Sequence, residues 1–600
     1  MKIRRYLLII FSIAYFLPQS IAFGKPVLFF SDLDSGPATG NGDISLGQTA
    51  NVNGALVSIW GKNLGDLQGT SKISIGGRVA EYVYSWGNAA SLEKPGGSFS
   101  ETLYDSHQMQ KITFQVPAGA DNSGIRVTVG GEDSNIIPFI VRSGNIYFVD
   151  DSSPSSPGSG TYNAPWRSPT SYVQKLAGGE DGAICYFREG VYAEEYGGIR
   201  TSAKSIFYVN SNVAGAPGKP NAFVGYPNEI ASLEATQGTS KEDPNYFIAV
   251  INDYPYNSAT YLTISSLRLE ANTYVATVRS NWRFIGNLCV GGAIFNQGTG
   301  ILVTGSHISH VTNPERYVQN YKIYGNVITG ERTGNKLDHA VYFGASKNND
   351  FGWNYLYKNN VAEGPILSNN SEDSKENGYL PLENLLVHDN VIDMKDFPSR
   401  AIGVHELSLG SSIKFYNNII IGPTALDNPA FYALSASIDL YNNTFYNVGS
   451  SKGTSAILSF DKRDPGTGVV YYPEGIKIKN NIVYGSQDSR NYLTISESLA
   501  SLTPQIEIDS NMWYGIGDFG TKSLGLVEGS VNTINSDPNF QSLAPLNLHI
   551  NKESLAVDNG TISVKSVVSN DFDGEPIDGT TSHIGALKTP TPLIKDINFK

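Results

Sequence analysis

The phrase IYGNVI at residues 323–328 sets one asparagine, Asn326, between two short apolar segments. It returns six times further along the chain, as FGWNYL, VHDNVI, FYNNII, LYNNTF, IKNNIV and IDSNMW, with Asn354, Asn390, Asn418, Asn443, Asn481 and Asn511 at the same place. Weaker copies set Ser266, Asn287 and Ser306 there, so that successive spacings are 21, 19, 20, 28, 36, 28, 25, 38 and 30 residues. A repeat of about 20 residues or more, built from period-2 strands, predicts a coiled parallel β-solenoid whose coils need neighbours to bury their apolar faces.

The repeated asparagine has a physical role in such a coil. Its side-chain amide can donate to and accept from the asparagine one coil away, which forms a ladder along a tight turn. We therefore assign these asparagines to structure. We expect function where the spacing is irregular, because inserted loops on a rigid scaffold build the walls of a cleft.

The N-terminus, residues 1–22, has the pattern of a secretory signal peptide. Three basic residues precede an apolar run at 6–17, and Ser20-Ile21-Ala22 offers a small-residue cleavage site near Ala22. The run is too short to span a bilayer, which predicts a secreted protein with no membrane insertion. Cleavage leaves 40 basic and 56 acidic residues, a formal charge of −16, which argues against nucleic acid as a partner.

The chain has two cysteines, Cys185 and Cys289. The exported compartment permits a disulfide. The two lie several coils apart, however, and Cys289 falls on an apolar column of the repeat. The sequence therefore favours two buried thiols.

Residues 25–142 are predicted to be a separate unit of short strands divided by Gly, Asn and Pro turns. The runs VSIWGKNLGD at 57–66, ISIGGRVAEYVYS at 73–85 and ITFQVPAGADNSGIRVTVGGEDSNIIPFIV at 112–141 together resemble an IPT/TIG domain, a small immunoglobulin-like sandwich. This resemblance implies a spacer or binding module in an exported protein.

Residues 145–520 are expected to form the β-helix. The helical patch SPTSYVQKLAGGEDG at 168–182, followed by the strand AICYFREGVYAEE, resembles the capped opening of pectate-lyase-like right-handed parallel β-helix proteins. Residues 521–600 resemble the closing region of such proteins, so we expect a C-terminal cap. Within it, the carboxylates of DFDGEPIDG at 571–579 could hold calcium, although the sequence favours a solvated turn there.

The swollen coils lie between Asn326 and Asn443, with insertions at 330–350, 359–384 and 393–412. Five of the eight histidines lie in or just before this region, namely His307, His310, His339, His388 and His405. His388 is in a column with two tyrosines on a different sheet, and we interpret it as a surface histidine.

The strands that follow the insertions can be aligned on Val341, Pro365 and Ile402. One column then contains His339, Glu363 and Arg400. Strict alternation would turn its histidine and arginine inward, so we assume that both lie at the turn entering the strand. The predicted site comprises His339, Arg400, Tyr342 and His405 on one face, with Lys336 and Asp338 at its rim.

β-Elimination from a uronate needs a base, a cation beside the carboxylate and an acid for the leaving oxygen. The candidate catalytic residues are His339, Arg400, Lys336 and Tyr342, and the candidate substrate-binding residues are Asp338, Glu363 and His405. Arg400 or Lys336 could neutralise the carboxylate, and His339 or Lys336 could be the base. Tyr342 or His405 could supply the proton.

A glycosidase instead needs two carboxylates about 5–5.5 Å or 6.5–9.5 Å apart, which Asp338 and Glu363 could supply. The chain lacks the Asn-Thr-Asp, His-Gly and Arg-Ile-Lys motifs of polygalacturonases, in the expected order, and the Trp-Ile-Asp-His motif of pectate lyases. We therefore transfer no catalytic residue from those families. No strongly spaced metal motif is present, and no cofactor is predicted beyond the calcium that 571–579 could hold.

The sequence predicts an all-β, exported protein in which an immunoglobulin-like β-sandwich precedes a right-handed parallel β-helix. The favoured function is binding and cleavage of a polysaccharide, with a lyase reaction ahead of hydrolysis. The alternative is a non-catalytic cell-surface or adhesion protein that binds glycan or protein along the β-helix face, because fold alone does not decide function.

Overall fold

The structure is a computed structural model that describes residues 24–46, 51–89, 109–154, 158–193, 203–209, 211–235, 246–252, 259–271, 274–291, 299–303, 317–330, 339–359, 366–368, 380–394, 400–422, 429–448, 457–464, 466, 468, 470–485, 492–499, 505–517, 532–544, 546–577 and 579–588. The predicted signal peptide lies outside these residues. Within them, no helix is long and apolar enough to cross a membrane.

The N-terminal unit consists mainly of antiparallel sheets. One has the strand order Val27–Ser31, Leu56–Lys62, Gln110–Gln115 and Val83–Asn88, and another has the order Arg78–Val79, Lys72–Ile75, Ile125–Val129 and Glu132–Asp133. The short strands Ser35–Gly36 and Ile140–Val141 pair in parallel. Alternate residues of Ile125–Val129 are buried, as expected for strands with one face on a core. The arrangement is compatible with the predicted β-sandwich.

The rest of the chain winds through three parallel sheets. In the described residues, the first sheet comprises Ile146–Val149, Ile184–Phe187, Asn221–Gly225, Leu262–Ser265, Arg283–Ile285, Lys322–Tyr324, Ser346–Gly352, Leu382–His388, Ser412–Tyr416, Ala436–Tyr441, Pro473–Lys479 and Ile506–Asp509, with Val318–Gln319 also paired to Ser346–Gly352.

The second sheet follows the first within each coil. Its described strands are Gly190–Tyr192, Ala231–Ala235, Arg268–Ala271, Leu288–Gly291, Val327–Gly330, Tyr355–Asn359, Val391–Asp393, Ile419–Ile421, Thr444–Tyr446, Ile482–Tyr484, Met512–Tyr514 and Ile534–Asn535.

The third sheet completes the coil. Its described strands are Ala203–Val209, Tyr246–Asn252, Tyr274–Val278, Thr299–Val303, Val341–Phe343, Ile366–Ser368, Ile402–Val404, Phe431–Ala433, Leu458–Phe460 and Leu493–Ile495. Strands of successive coils pair in parallel, which confirms the predicted fold class, a right-handed parallel β-helix preceded by an immunoglobulin-like unit.

The interior of the β-helix is filled by apolar residues that pair with one another from coil to coil. One column in the first sheet is formed by Ile264, Phe284, Ile323, Phe351, Val387, Phe415, Leu440, Ile478 and Ile508. Cys185 and Cys289 belong to the same core as buried thiols, as predicted. The predicted helix is Pro169–Ala177, begins after the capping Ser168, and buries Tyr172 against the core.

The asparagine ladder is confirmed. From Asn287 to Asn511, each Nδ2 donates to Oδ1 of the asparagine in the next coil, at 2.9–3.1 Å. The same Oδ1 also accepts the backbone N–H of the preceding asparagine. Because the amides are buried and hydrogen-bonded on both sides, the ladder fixes where each coil turns from the first sheet into the second.

Two of the weaker copies were assigned wrongly. The ladder position in the first of these coils is Leu267, whose backbone N–H donates to Asn287 Oδ1 at 3.1 Å, so Ser266 lies one residue early. Asn287 bonds directly to Asn326, and Leu288 pairs with Val327, so the coil between them has 39 residues. The even spacing predicted there is therefore wrong, and Ser306 itself lies outside the described residues.

The residue before each ladder position has a left-handed backbone. These residues are Ser266, Gly286, Gly325, Trp353, Asp389, Asn417, Asn442, Asn480 and Ser510, with φ between 50° and 63°. Most are Gly, Asn or Asp, the residues that adopt this conformation most readily. They form one line along the turn between the first and second sheets.

The N-terminal unit packs against the first part of this line. Lys111 Nζ donates to Ser266 Oγ at 3.1 Å. A Cβ on Gly286 would lie 2.6 Å from the ring of Trp60, and one on Gly325 would lie 2.5 Å from Phe30. The two glycines thus allow aromatic rings to lie directly on the backbone of the helix.

The C-terminal segment covers the next part of the same line. Asn417, Asn442 and Asn480 donate from Nδ2 to backbone carbonyls of residues 570, 583 and 561, at 2.9–3.1 Å. Its apolar residues, including Phe572, pack beside the second sheet against residues such as Ile419. The segment predicted as a cap therefore runs along the side of the helix.

Asn390→Leu tests the ladder. The substitution leaves the backbone N–H of Asn354 and one N–H of its side-chain amide without an acceptor, and it removes one hydrogen bond each from Asn418 Oδ1 and Phe351 O. Because each orphaned buried group costs about 1–3 kcal/mol, we expect a loss of at least about 3 kcal/mol in the free energy of unfolding, measured by denaturant titration. Asn559→Ala, at an exposed asparagine, is the control. Equal losses in the two variants would contradict a stabilising ladder.

Candidate functional site

The predicted site lies on the third sheet, where strands present alternate residues to the core and to the outside. Val341 pairs with Ile366, which pairs with Ile402, so the predicted match of Val341 and Ile402 is confirmed. Pro365 was placed in this column, but Ile366 occupies it, one residue later. The next coils add Phe431 and Leu458 to the same column.

Arg400 and His405 flank the strand Ile402–Val404 and approach each other over its outer face. Arg400 Nη1 lies 3.0 Å from His405 Nε2. The Cζ atom of Arg400 lies 4.4 Å from the ring centre of Tyr432, and the ring of His405 meets that of Tyr432 edge-on at 5.9 Å. Gly403 lies between them in the outward column and adds no side chain there. The three residues form what we call the Arg400 cluster.

His405 is a neutral imidazole. Burial and the neighbouring Arg400, with smaller effects of His339 and Arg463, lower the pKa of His405 to about 3. A guanidinium has no hydrogen-bond acceptor, so Arg400 donates to Nε2 of His405. The single proton of the neutral imidazole is therefore on Nδ1. This corrects the prediction that His405 could supply a proton, because near neutral pH the ring can only accept one.

An ion pair between one buried and one exposed side chain adjoins the cluster. Glu406, 2% exposed, forms a salt bridge with the exposed Arg463. The hydroxyl of Ser435 donates to the backbone carbonyl of His405 and accepts the N–H of Leu407 at 3.0 Å. These contacts hold the chain that follows His405 in one conformation.

His339 and Tyr342 lie beside each other, with ring centres 5.8 Å apart, and both side chains are buried. His339 contributes to the lowered pKa of His405, so the two histidines lie near each other. The structure therefore brings Arg400 and His405 into contact, and it brings His339 and Tyr342 together as a second pair. Lys336, Asp338 and Glu363 lie outside the described residues.

Tyr432, Glu406 and Arg463 were missed in the sequence analysis. The alignment of strands in the sequence stopped at the strand after the last inserted loop. Phe431–Ala433 and Leu458–Phe460 continue the same columns in the next two coils, but neither strand contains a histidine that would have marked it. Extending the neighbouring column of Tyr342 and Gly403 by one coil would have identified Tyr432. Within the described ranges, no three or more His, Cys, Asp or Glu side chains are placed to hold a metal ion, and the acidic run at 371–376 lies outside them.

The interpretation of His388 as a surface residue is wrong. Its side chain is 5% exposed, and both ring nitrogens lie 2.6 Å from carboxylate oxygens, those of Asp350 and Asp389. The ring stacks on Tyr416 at 4.8 Å. Burial opposes the charge, yet the two carboxylates raise the pKa of His388 to about 10, so the ring is an imidazolium at neutral pH.

The similarity of this chain to known proteins is confined to solved structures. No protein-family model matches the chain, and no curated protein matches it. Among solved structures, pectate lyase Pel9A is similar with a TM-score of 0.44 and 14% identity, covering 75% of this chain and 98% of that chain. A rhamnogalacturonan lyase has a TM-score of 0.39 and 12% identity, with coverages of 73% and 96%. The GH136 lacto-N-biosidase from Eubacterium ramulus has a TM-score of 0.32 and 12% identity, with coverages of 65% and 67%.

His388 makes the stability of the fold depend on pH. The folded protein binds this proton more tightly than the unfolded chain, whose histidine has a pKa near 6.5. The stabilisation is therefore complete below pH 6.5 and is lost as the pH rises through 10. We expect the difference in Tm between the wild type and His388→Gln to be largest at pH 6 and to shrink towards pH 10.

The groups that face His388, namely Asp350, Asp389, Tyr324 and Tyr416, are retained in that variant, so their own titration is present in both proteins. Thermal unfolding followed by circular dichroism gives the comparison. A difference in Tm that does not change between pH 6 and pH 10 would show that His388 is not charged in the folded protein.

Proposed function

We propose that this protein binds a polysaccharide along the outer face of the third sheet and cleaves it by β-elimination at the Arg400 cluster. The observation that carries the proposal is the 3.0 Å contact between a guanidinium and a neutral imidazole on that face, with a tyrosine directly beneath. The described strands of the sheet extend over about 40 Å, which suits a polymer.

Each group has one role in the reaction. Arg400 binds and neutralises the uronate carboxylate, and in turning towards it releases the lone pair of His405 Nε2. His405 then takes the proton from the carbon beside the carboxylate, and the electron pair forms a carbon–carbon double bond as the glycosidic C–O bond breaks. Tyr432 gives its hydroxyl proton to the leaving oxygen and recovers one from solvent, to which His405 releases the proton that it took from carbon.

The surrounding residues support these roles. Burial raises the pKa of Tyr432 while Arg400 and Arg463 oppose the shift, so the hydroxyl keeps its proton until the leaving oxygen takes it. His339 is buried near His405 and serves as a positioning residue. Glu406 is engaged by Arg463 and is not available as one of two opposed carboxylates, which favours elimination over hydrolysis at this cluster.

The predicted signal peptide agrees with this proposal, because an exported protein would meet its polysaccharide outside the cytoplasm.

The mature protein should be tested with uronate polymers and neutral polysaccharides in parallel. Elimination gives products with a new ultraviolet absorbance, whereas hydrolysis gives reducing ends without it. Binding without either product would favour the non-catalytic alternative.

The Arg400 cluster predicts the effect of three substitutions. Arg400→Ala should lower kcat/KM roughly 10²–10³-fold through the lost electrostatic stabilisation, and His405→Gln and Tyr432→Phe should each lower it roughly 10²–10⁴-fold through lost proton transfer. Arg167→Ala and Tyr472→Phe, at exposed residues, are the matched controls. Activity retained in all three cluster variants, with their fold intact by circular dichroism, would reject this site.

The low pKa of His405 predicts how kcat/KM changes as the pH is lowered below neutral. Because the free protein keeps this ring neutral down to about pH 3, kcat/KM should not fall with a midpoint near 6.5, the ordinary value for histidine. The measurement is kcat/KM between pH 3.5 and 8, which reports the groups of the free enzyme. A midpoint near 6.5 that disappears in His405→Gln would show that Arg400 does not keep the ring neutral.

A further inference from the structure

A cavity of about 250 Å³ lies between the N-terminal unit and the early coils of the β-helix. Residues of the strands Val83–Asn88 and Gln110–Gln115 line it from the N-terminal unit. The turn at residues 225–230, between the first and second sheets, and Ser266 of the left-handed line border it from the β-helix. None of these residues belongs to the third sheet or to the Arg400 cluster. We call this space the Lys111 cavity, after the lysine in its wall.

Lys111 brings to the cavity a positive charge that no carboxylate pairs with in the described part of the chain. Its Nζ donates to the hydroxyl of Ser266 at 3.1 Å and lies 4.8 Å from the ring centre of Trp60. Burial lowers the pKa of Lys111 to about 8, and the opposing effect of Asp32 does not cancel this shift. The ammonium is therefore charged at pH 7, but its neighbours replace only part of the hydration that it has lost.

The negative charge in the wall is already paired. Among the described lining residues, Glu229 has the only carboxylate, and its two oxygens accept from Nη2 and Nε of Arg188 at 2.7 Å. One of them also accepts the backbone N–H of Glu189 at 2.8 Å. Asp32 is not a lining residue, and its Oδ1 accepts two backbone N–H groups. The wall thus has one uncompensated charge, which favours a ligand with a single negative charge, since a dianion would keep one charge unpaired.

The rest of the wall suits a ring that carries hydroxyl groups. The side chains of Ser85 and Asn88 make no hydrogen bond within the described residues, and Asn228 uses only its Nδ2 there. Asn88 and Asn228 are exposed and Ser85 is half-buried, so a ligand can reach all three. The indole of Trp86, whose N–H donates to the carbonyl of Leu64 at 2.9 Å, adds an apolar ring on which carbon atoms can pack.

We propose that the Lys111 cavity binds a monoanionic hydroxy acid of the size of one sugar ring, with its carboxylate on the Lys111 ammonium. Ser85, Asn88 and Asn228 bond the hydroxyl groups of the ligand, which both donate and accept. The volume lies just below the range of roughly 300–1,000 Å³ typical of small-molecule sites, so the cavity suits one ring and not a longer chain. The proposal does not depend on the proposed function, because it uses no residue of the Arg400 cluster.

The test is a binding measurement on the full mature chain at pH 7 by ligand-observed NMR. The probes are galacturonate and glucuronate, and the comparisons are galactose and glucose, which have the same rings without the carboxylate. We expect saturable binding of at least one uronate and at least about tenfold weaker binding of its neutral counterpart, because charge-assisted hydrogen bonds are the strong ones. A uronate can also bind at Arg400, so each measurement is repeated in Arg400→Ala, where the binding should persist.

Two variants test the cavity in the Arg400→Ala background. Lys111→Met removes the charge and should weaken uronate binding at least about tenfold. Lys72→Met, at an exposed lysine of the N-terminal unit outside the cavity, is the matched control and should not weaken it. Asn88→Trp fills the cavity from an exposed lining position and should have the same effect while Lys111 keeps its contacts. Val79→Trp, 54% exposed on another strand of the unit, is its control.

Three results would overturn the proposal. They are the absence of saturable uronate binding to Arg400→Ala, equal binding of the uronate and its neutral counterpart, and undiminished binding in both Lys111→Met and Asn88→Trp. With Arg400 intact, Lys111→Met should leave kcat/KM for cleavage of the polymer unchanged, which separates this site from the proposed function.

Discussion

The buried asparagine ladder is the constraint on which the rest of the structure depends. Each ladder amide uses Oδ1 to accept two donors from the coil before it and Nδ2 to donate to a carbonyl of that coil and to the next asparagine. A coil shifted by one residue would place an apolar side chain among these buried amides and leave them unsatisfied. The ladder thereby sets the register of the first and second sheets, while loops of different length can enter and leave the third.

The ladder also explains how the other parts of the chain attach to the helix. To place the asparagine inward, the preceding residue adopts a left-handed backbone in nine successive coils. Where that residue is glycine, the aromatic rings of Trp60 and Phe30 approach the backbone. Where it is asparagine, its side chain is free to bond the C-terminal segment. Trp353 is the exception, because a bulky side chain is strained there, and its stacking against Phe29 at 5.5 Å and Phe30 at 5.3 Å offsets that strain.

The sequence predicted those features that repeat from coil to coil. The ladder from Asn326 onward and the column of Val341 and Ile402 follow from period-2 alternation. The proximity of Arg400 and His405 does not, because strict alternation turns Arg400 inward, and it was predicted only by assuming that Arg400 lies at the turn entering its strand. The coil between Asn287 and Asn326 could not be predicted, because Ser306 imitates a ladder residue in composition alone. His388 is buried by chain segments that are distant in sequence, and the periodicity of the repeat carries no information about them.

Three buried histidines show that burial lowers the pKa of an imidazole and that neighbouring carboxylates can reverse this shift. Burial alone disfavours the imidazolium, and the pKa values of His405 and His583 are lowered to about 3, with Arg400 and Lys588 acting in the same direction. At His388 two carboxylates reverse the sign and raise the pKa to about 10. Both nitrogens of His388 are then donors held by acceptors, so that ring cannot take a proton. His405 keeps a lone pair beside a permanent cation on an outer face. This difference is why we assign proton transfer to His405 on the third sheet and not to His388.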